Sequence, residues 1–185
     1  MKWNRAVLLG LLAVSAVVVL AGCTSESSRN VLTVVSMNGG HVYFSDLLSD
    51  SGAVVADAAK VTFGNIPNDG GTPLAPGSPF SEIVLTGYTV TYDNGTYPPV
   101  TGGLTVRVPS GGTTDATVAL SNISQKAAIA LANPGLATSD IARVTFTGYN
   151  RINGSNNGDQ VHANASLTVE IANFKDADVA KQNAP

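Results

Sequence analysis

Acid–base or metal chemistry in this 185-residue chain would have to run through His41 and His162, its two histidines. They are far apart in sequence, and neither sits in a metalloprotease or zinc-finger spacing. A metal site built on both would need carboxylates delivered by the fold. His41 opens an extended stretch after Gly39-Gly40, and His162 shares a strand's polar side with Asn164 and Ser166, so both read as surface or strand-end histidines. Serine chemistry lacks its frame. No Gly-x-Ser-x-Gly elbow occurs, and Gly154-Ser155-Asn156-Asn157-Gly158 is a loop. No Gly-x-Gly-x-x-Gly run and no phosphate-binding lysine loop occurs either. The 13 acids are scattered, so no carboxylate pair nominates itself for glycoside hydrolysis. The most polar stretch holds Asn150, Asn153, Asn156, Asn157 and Asp159. Their oxygens suit Ca²⁺, without the acidic order of an EF-hand, and the same residues also suit a solvated hairpin loop. Tyr88, Tyr92 and Tyr97 raise a sugar-platform reading. Alternation turns Tyr88 and Tyr92 inward with Val84 and Val90, while Tyr97, before Pro98-Pro99, is expected to be an exposed ring.

Composition narrows the classes further. The single cysteine, Cys23, excludes an internal disulfide and any zinc site built on several cysteines. Charged residues make up 12% of the chain, against about a quarter in ordinary proteins, so a solvated disordered chain is not expected. Lys2-Trp3-Asn4-Arg5 gives a basic start, and Ala6 to Gly22 follows without a charge. At ~1.5 Å per residue that run spans roughly 25 Å as a helix, short of a ~30 Å hydrocarbon core. It suits a removable export signal better than a permanent span. Lys2 and Arg5 belong to that signal, so of 10 basic residues 8 remain against 13 acidic ones, net −5. A mildly acidic domain without basic clusters is not built for nucleic acid.

The run ends in Leu20-Ala21-Gly22-Cys23 and turns polar at once, Thr24-Ser25-Glu26-Ser27-Ser28-Arg29-Asn30. Leu-Ala-Gly-Cys resembles the lipobox of bacterial lipoproteins. The resemblance implies a diacylglyceryl group on the Cys23 thiol, cleavage before Cys23 and further acylation, such as palmitate. Two or more chains, at about 0.8 kcal/mol per buried CH₂, make such an anchor stable. Thr24 stands where, in enteric-type bacteria, an Asp resembles an inner-membrane retention signal. A host with two membranes would therefore carry the protein on the outer one.

The remainder reads as strands. Apolar or alternating runs occur at 31–35, 41–44, 60–64, 82–92, 104–108, 116–120, 141–147 and 161–171. Asn38-Gly39-Gly40, Asp93-Asn94-Gly95 and Pro109-Ser110-Gly111-Gly112 punctuate them, and Asp93-Asn94-Gly95 signals a hairpin. Each strand has one apolar face, as when one side covers a core and the other meets water. Ser124 to Ala132 has helical propensity and stops at Asn133-Pro134-Gly135. Thr86-Gly87-Tyr88 recurs as Thr147-Gly148-Tyr149, which would suit paired halves of one sandwich. About eight short strands with such punctuation predict an antiparallel, all-β sandwich or barrel.

Val61-Thr62-Phe63, the loop Pro67-Asn68-Asp69-Gly70-Gly71-Thr72-Pro73 and the strand Thr86-Gly87-Tyr88-Thr89-Val90-Thr91-Tyr92 resemble strands B and C of fibronectin type III domains. Phe63 stands where that family has Trp, and its tyrosine-corner pattern is absent. The resemblance implies an immunoglobulin-like β-sandwich with one short helix.

The expected organisation is a lipoprotein signal at 1–22, lipidated Cys23 with a polar tether at 23–30, an immunoglobulin-like sandwich at 31–174, and a flexible tail at 175–185. The expected role is non-catalytic and needs no cofactor. It is a binding or scaffolding module of the periplasm or cell surface, with a protein or glycan partner. Two other readings stand beside it: Ca²⁺ or carbohydrate adhesion through the Asn-rich loop, and an envelope hydrolase.

Overall fold

The computed structural model describes residues 30–68, 81–151 and 158–183. Among the described residues eight strands form two facing sheets, a mostly β, sandwich-like domain. The three-stranded sheet runs β1 (Asn30–Met37), β3 (Ala58–Pro67), β6 (Thr113–Ala119). The five-stranded sheet runs β2 (Tyr43–Asp46), β8 (Gln160–Ala172), β7 (Thr138–Arg151), β4 (Glu82–Tyr92), β5 (Val100–Val108). Each of the eight expected strands is present.

One expectation is corrected. The sandwich is not wholly antiparallel, because β2 pairs parallel to β8, Tyr43 opposite Val169 and Asp46 opposite Ala172. The cause is a switch between sheets. β1 belongs to the smaller sheet, and the chain then turns through Asn38, Gly39 and Gly40 with φ of 50°, 62° and 83° before entering the larger one. Three consecutive left-handed residues need glycine or asparagine. The Asn38 side chain also donates to the carbonyls of His41 and Val42, both at 3.2 Å.

The core lies where the sheets face. Phe63 of β3 meets Phe146 of β7 edge to face, centroids 4.7 Å apart, and both are fully buried. Two tyrosines of β4 tie the sheets together by their hydroxyls. Tyr88 Oη accepts from the Ala119 N–H at 2.9 Å, and Tyr92 Oη donates to the Leu120 carbonyl at 3.2 Å. Their rings fill the core while their polar ends satisfy backbone groups at the edge of β6.

The two Thr-Gly-Tyr segments are neighbours in one sheet rather than equivalents in opposite halves. In the β4–β7 ladder Leu85 faces Gly148 and Gly87 faces Thr147, with β4 bulged between Leu85 and Gly87. A Cβ on Gly148 would lie 2.4 Å from the Val84 carbonyl oxygen. Gly148→Ala must therefore push the central strands β4 and β7 away from each other. We expect a cost of about 1–3 kcal/mol, read as a lower urea midpoint.

Helix α1 (Ile123–Ala132) matches the expected segment. It opens on a reciprocal cap: Asn122 Oδ1 accepts from Gln125 N at 2.9 Å and Gln125 Oε1 accepts from Asn122 N at 3.1 Å. Helix α2 (Asp176–Gln182) occupies the stretch expected to be a flexible tail. Asp176 and Asp178 in its first turn and Lys181 in its last suit the helix dipole. No described helix is long and apolar enough to cross a membrane, and residues 1–29, Cys23 among them, lie outside the described residues.

Candidate functional site

The histidines do not converge. Both are exposed. His41 lies beside Ser166 and Thr168 of β8, whereas His162 sits four to six residues earlier on that strand, roughly 13–20 Å away at strand spacing. Among the described residues no three His, Cys, Asp or Glu side chains come together as metal ligands.

The Asn-rich stretch is only partly described. Asn153, Asn156 and Asn157 lie outside the described residues. Asn150 is 2% exposed, inside β7 opposite Ile83, and its N–H donates to the Asp159 carbonyl at 2.8 Å. A Cβ on Gly158 would fall 1.5 Å from the Asn150 carbonyl oxygen, so the hairpin closes only with glycine there. Asn150 thus belongs to the packed end of the sandwich rather than to an open ligand loop.

Tyr97 reverses its expectation. It is 1% exposed, packed edge to face against Tyr92 with centroids 5.2 Å apart. Asp140 explains why. Its carboxylate accepts from Asn94 N at 3.0 Å, Thr96 N at 3.2 Å, Thr96 Oγ1 at 2.7 Å and Ile141 N at 2.7 Å. This pins the loop after β4 so that the next side chain turns inward. Burial alone would raise the Asp140 carboxyl, but those donors outweigh it and hold it below the ordinary carboxylate range. A depressed carboxyl stabilises the fold above its unfolded pKa, and that contribution is lost as pH falls through the folded value. We expect Asp140→Asn to lower stability at neutral pH by about 1.5–3 kcal/mol and to flatten the loss below roughly pH 4, followed by thermal melts across pH.

Tyr97 leads to the most organised polar cluster. Asp57 stands just before β3, and Lys126 lies in the first turns of α1. Lys126 Nζ donates to Asp57 Oδ1 at 2.9 Å, with the two side chains 2% and 6% exposed. Asp57 Oδ2 accepts from Ser45 Oγ at 2.7 Å and from Ser121 Oγ at 2.5 Å. Ser121 Oγ in turn accepts from the Asp57 N–H at 3.3 Å. Ser45 Oγ also lies 3.0 Å from Tyr97 Oη. Because Ser45 gives its one hydrogen to Asp57, Tyr97 is the donor there. Tyr43 Oη accepts from the Ala58 N–H at 3.2 Å. Burial, followed by the Asp57 charge, pushes the Tyr43 hydroxyl up to about 12, and burial pushes those of Tyr92 and Tyr97 up too. All three phenols therefore stay protonated.

A cleft of about 250 Å³ opens beside this cluster, walled by Tyr43, Phe44, Val55, Val179, Asp46 and Asp176. Burial, the largest influence, raises the Asp46 carboxyl. The hydroxyls of Ser45 and Ser121 both donate to the Asp57 carboxylate. The cluster brackets β2, β3, α1 and the loop after β4 at one pole of the sandwich.

The sequence carried a faint sign of this cluster. Asp57 is the one acid in Ala53–Ala59, and Lys126 the one charge in an Ala- and Ile-rich helix. Each reads alone as a solubilising residue, and 69 residues separate them. No family model matches the chain, and no curated protein matches it.

Proposed function

We propose that this protein is a lipid-anchored, non-catalytic module of the bacterial cell envelope, which binds or scaffolds a protein or glycan partner through an immunoglobulin-like sandwich. The observation that carries this reading is the order of its segments: basic start, apolar run, Leu20-Ala21-Gly22-Cys23, a short polar tether, then a strand-rich domain. An acylated Cys23 has six residues, 24–29, before β1, roughly 20 Å of chain when extended.

The strand order supports the immunoglobulin-like assignment. With β1 and β2 as a split first strand, β3, β6 and β4, β5, β7, β8 take the places of B, E and C, C′, F, G. The B and C strands of the fibronectin-like stretch then correspond to β3 and β4. The tether enters at the pole that holds the start of β1 and the end of β7, while Asp57, Lys126 and the cleft lie at the other. Acylation would therefore set the start of β1 and the end of β7 toward the bilayer and leave the bracketed pole free for a partner.

Cys23→Ala tests the anchor in the native host. We expect the variant to leave the membrane fraction or to accumulate as an unprocessed precursor, followed by fractionation and immunoblot. Unchanged processing together with unchanged membrane partition would overturn the reading.

A further inference from the structure

The cleft at the bracketed pole has hydrogen-bonding capacity that its own residues do not use. Lys126 is 1% exposed, and its ammonium carries three hydrogens. One goes to Asp57 Oδ1 at 2.9 Å, and among the described residues Nζ has no second acceptor within hydrogen-bond distance. Asp57 has little left to offer, because Lys126, Ser45 and Ser121 already hold its two oxygens. Lys126 borders the cleft, so an oxygen placed there is what can take the remaining hydrogens. Leaving buried ammonium hydrogens without acceptors is costly, which favours such an occupant.

Asp46, half-buried in the wall of the same cleft, makes the complementary demand. It accepts from the Phe174 N–H at 3.0 Å, and a carboxyl has room for further donors. Tyr43, Phe44, Val55 and Val179 give the remaining lining an apolar character. At about 250 Å³ the cleft is smaller than sites for drug-sized ligands and suits one compact ring.

These walls discriminate between ligand classes. A simple anion would accept from Lys126 but face the carboxyls of Asp46 and Asp176, and a simple cation would leave the Lys126 hydrogens unmet. A hydroxyl both donates and accepts, so two neighbouring hydroxyls on one ring meet both walls while its C–H groups lie on the apolar lining. A peptide strand would need the backbone edge of β2. There Asn183 already accepts from the Phe44 N–H and donates to the Phe44 carbonyl, both at 2.9 Å.

We infer that this cleft is a glycan site, taking one neutral sugar ring with one hydroxyl on Lys126 Nζ and its neighbour on the Asp46 carboxyl. A glycan partner rests on the reading of the protein as an envelope binding module, and the two can fail apart. Loss of sugar binding with the Cys23-dependent anchor intact removes the site alone, whereas sugar binding by a protein that is not anchored removes the envelope reading alone.

The test uses the full chain in a detergent without sugar headgroups. Glucose, galactose, mannose and N-acetylglucosamine are each titrated while the backbone amides of Val55 and Val179 are followed by NMR. At least one sugar should shift both amides saturably in the millimolar range, the scale for a single ring. Val55→Trp fills the cleft from an exposed position and should abolish the shifts without touching the core. Asp46→Asn keeps an oxygen for the Phe174 N–H and should weaken binding roughly tenfold, the loss of one charge-assisted hydrogen bond. Four results would each overturn the site: no saturable shift with any of the sugars, shifts that survive Val55→Trp, undiminished affinity in Asp46→Asn, or phosphate, methylammonium or glycine acting on these amides at lower concentration than every sugar.

Discussion

Asp57→Ala is expected to be among the most destabilising single changes in the molecule. It removes the carboxylate that faces Lys126 Nζ at 2.9 Å and takes the hydroxyls of Ser45 and Ser121. An ammonium 2% exposed is then left without its counter-charge. Stranding a buried charge costs about 3–5 kcal/mol. For a domain of this size that lowers the melting temperature by on the order of 10 °C. The pair itself is worth far less than that loss, because desolvating both ions offsets most of their attraction. The double change Asp57→Leu with Lys126→Met should therefore recover much of the stability, and calorimetry of the single and double variants separates the two quantities. A double variant as unstable as Asp57→Ala would mean that the bracket works through its serine and tyrosine hydrogen bonds rather than through charge.

The second large effect is expected at Phe146. Its ring is fully buried between the sheets, edge to face with Phe63 and 6.4 Å from Tyr88. Phe146→Ala opens a cavity in the middle of the core and should cost about 3–5 kcal/mol. Chemical denaturation should show a lower midpoint at unchanged slope, since the surface exposed on unfolding hardly changes. Neither change touches the first 29 residues. Whatever folded protein remains should partition between membrane and soluble fractions as the unaltered protein does, which separates stability from localisation.

Much of the fold was legible because its signals are local. Alternation marked β8 and the Tyr88–Tyr92 part of β4, and placed Tyr88 and Tyr92 in the core, where both are 8% exposed. Asn38-Gly39-Gly40 and Asp93-Asn94-Gly95 marked turns that carry positive φ at Asn38, Gly39, Gly40 and Gly95. Periodicity reports which face of a strand is covered, not which strand lies beside it. The parallel β2–β8 pair was therefore out of reach, and so was the adjacency of the two Thr-Gly-Tyr segments. Tyr97 was misplaced because its burial depends on Asp140, 43 residues later in the sequence, pulling the intervening loop inward. Asp57 and Lys126 have meaning only as a pair. The C-terminal segment is polar and short, and its order comes from Phe174 and Asn183 docking on Phe44 rather than from any propensity of its own.

The measurement that bears most directly on the whole account is the intact mass of the protein purified from its own membranes, with fragmentation of its amino-terminal peptide. The account predicts a chain beginning at Cys23, with a diacylglyceryl thioether on the sulfur. A free thiol at position 23 on a chain that still carries residues 1–22 would contradict it.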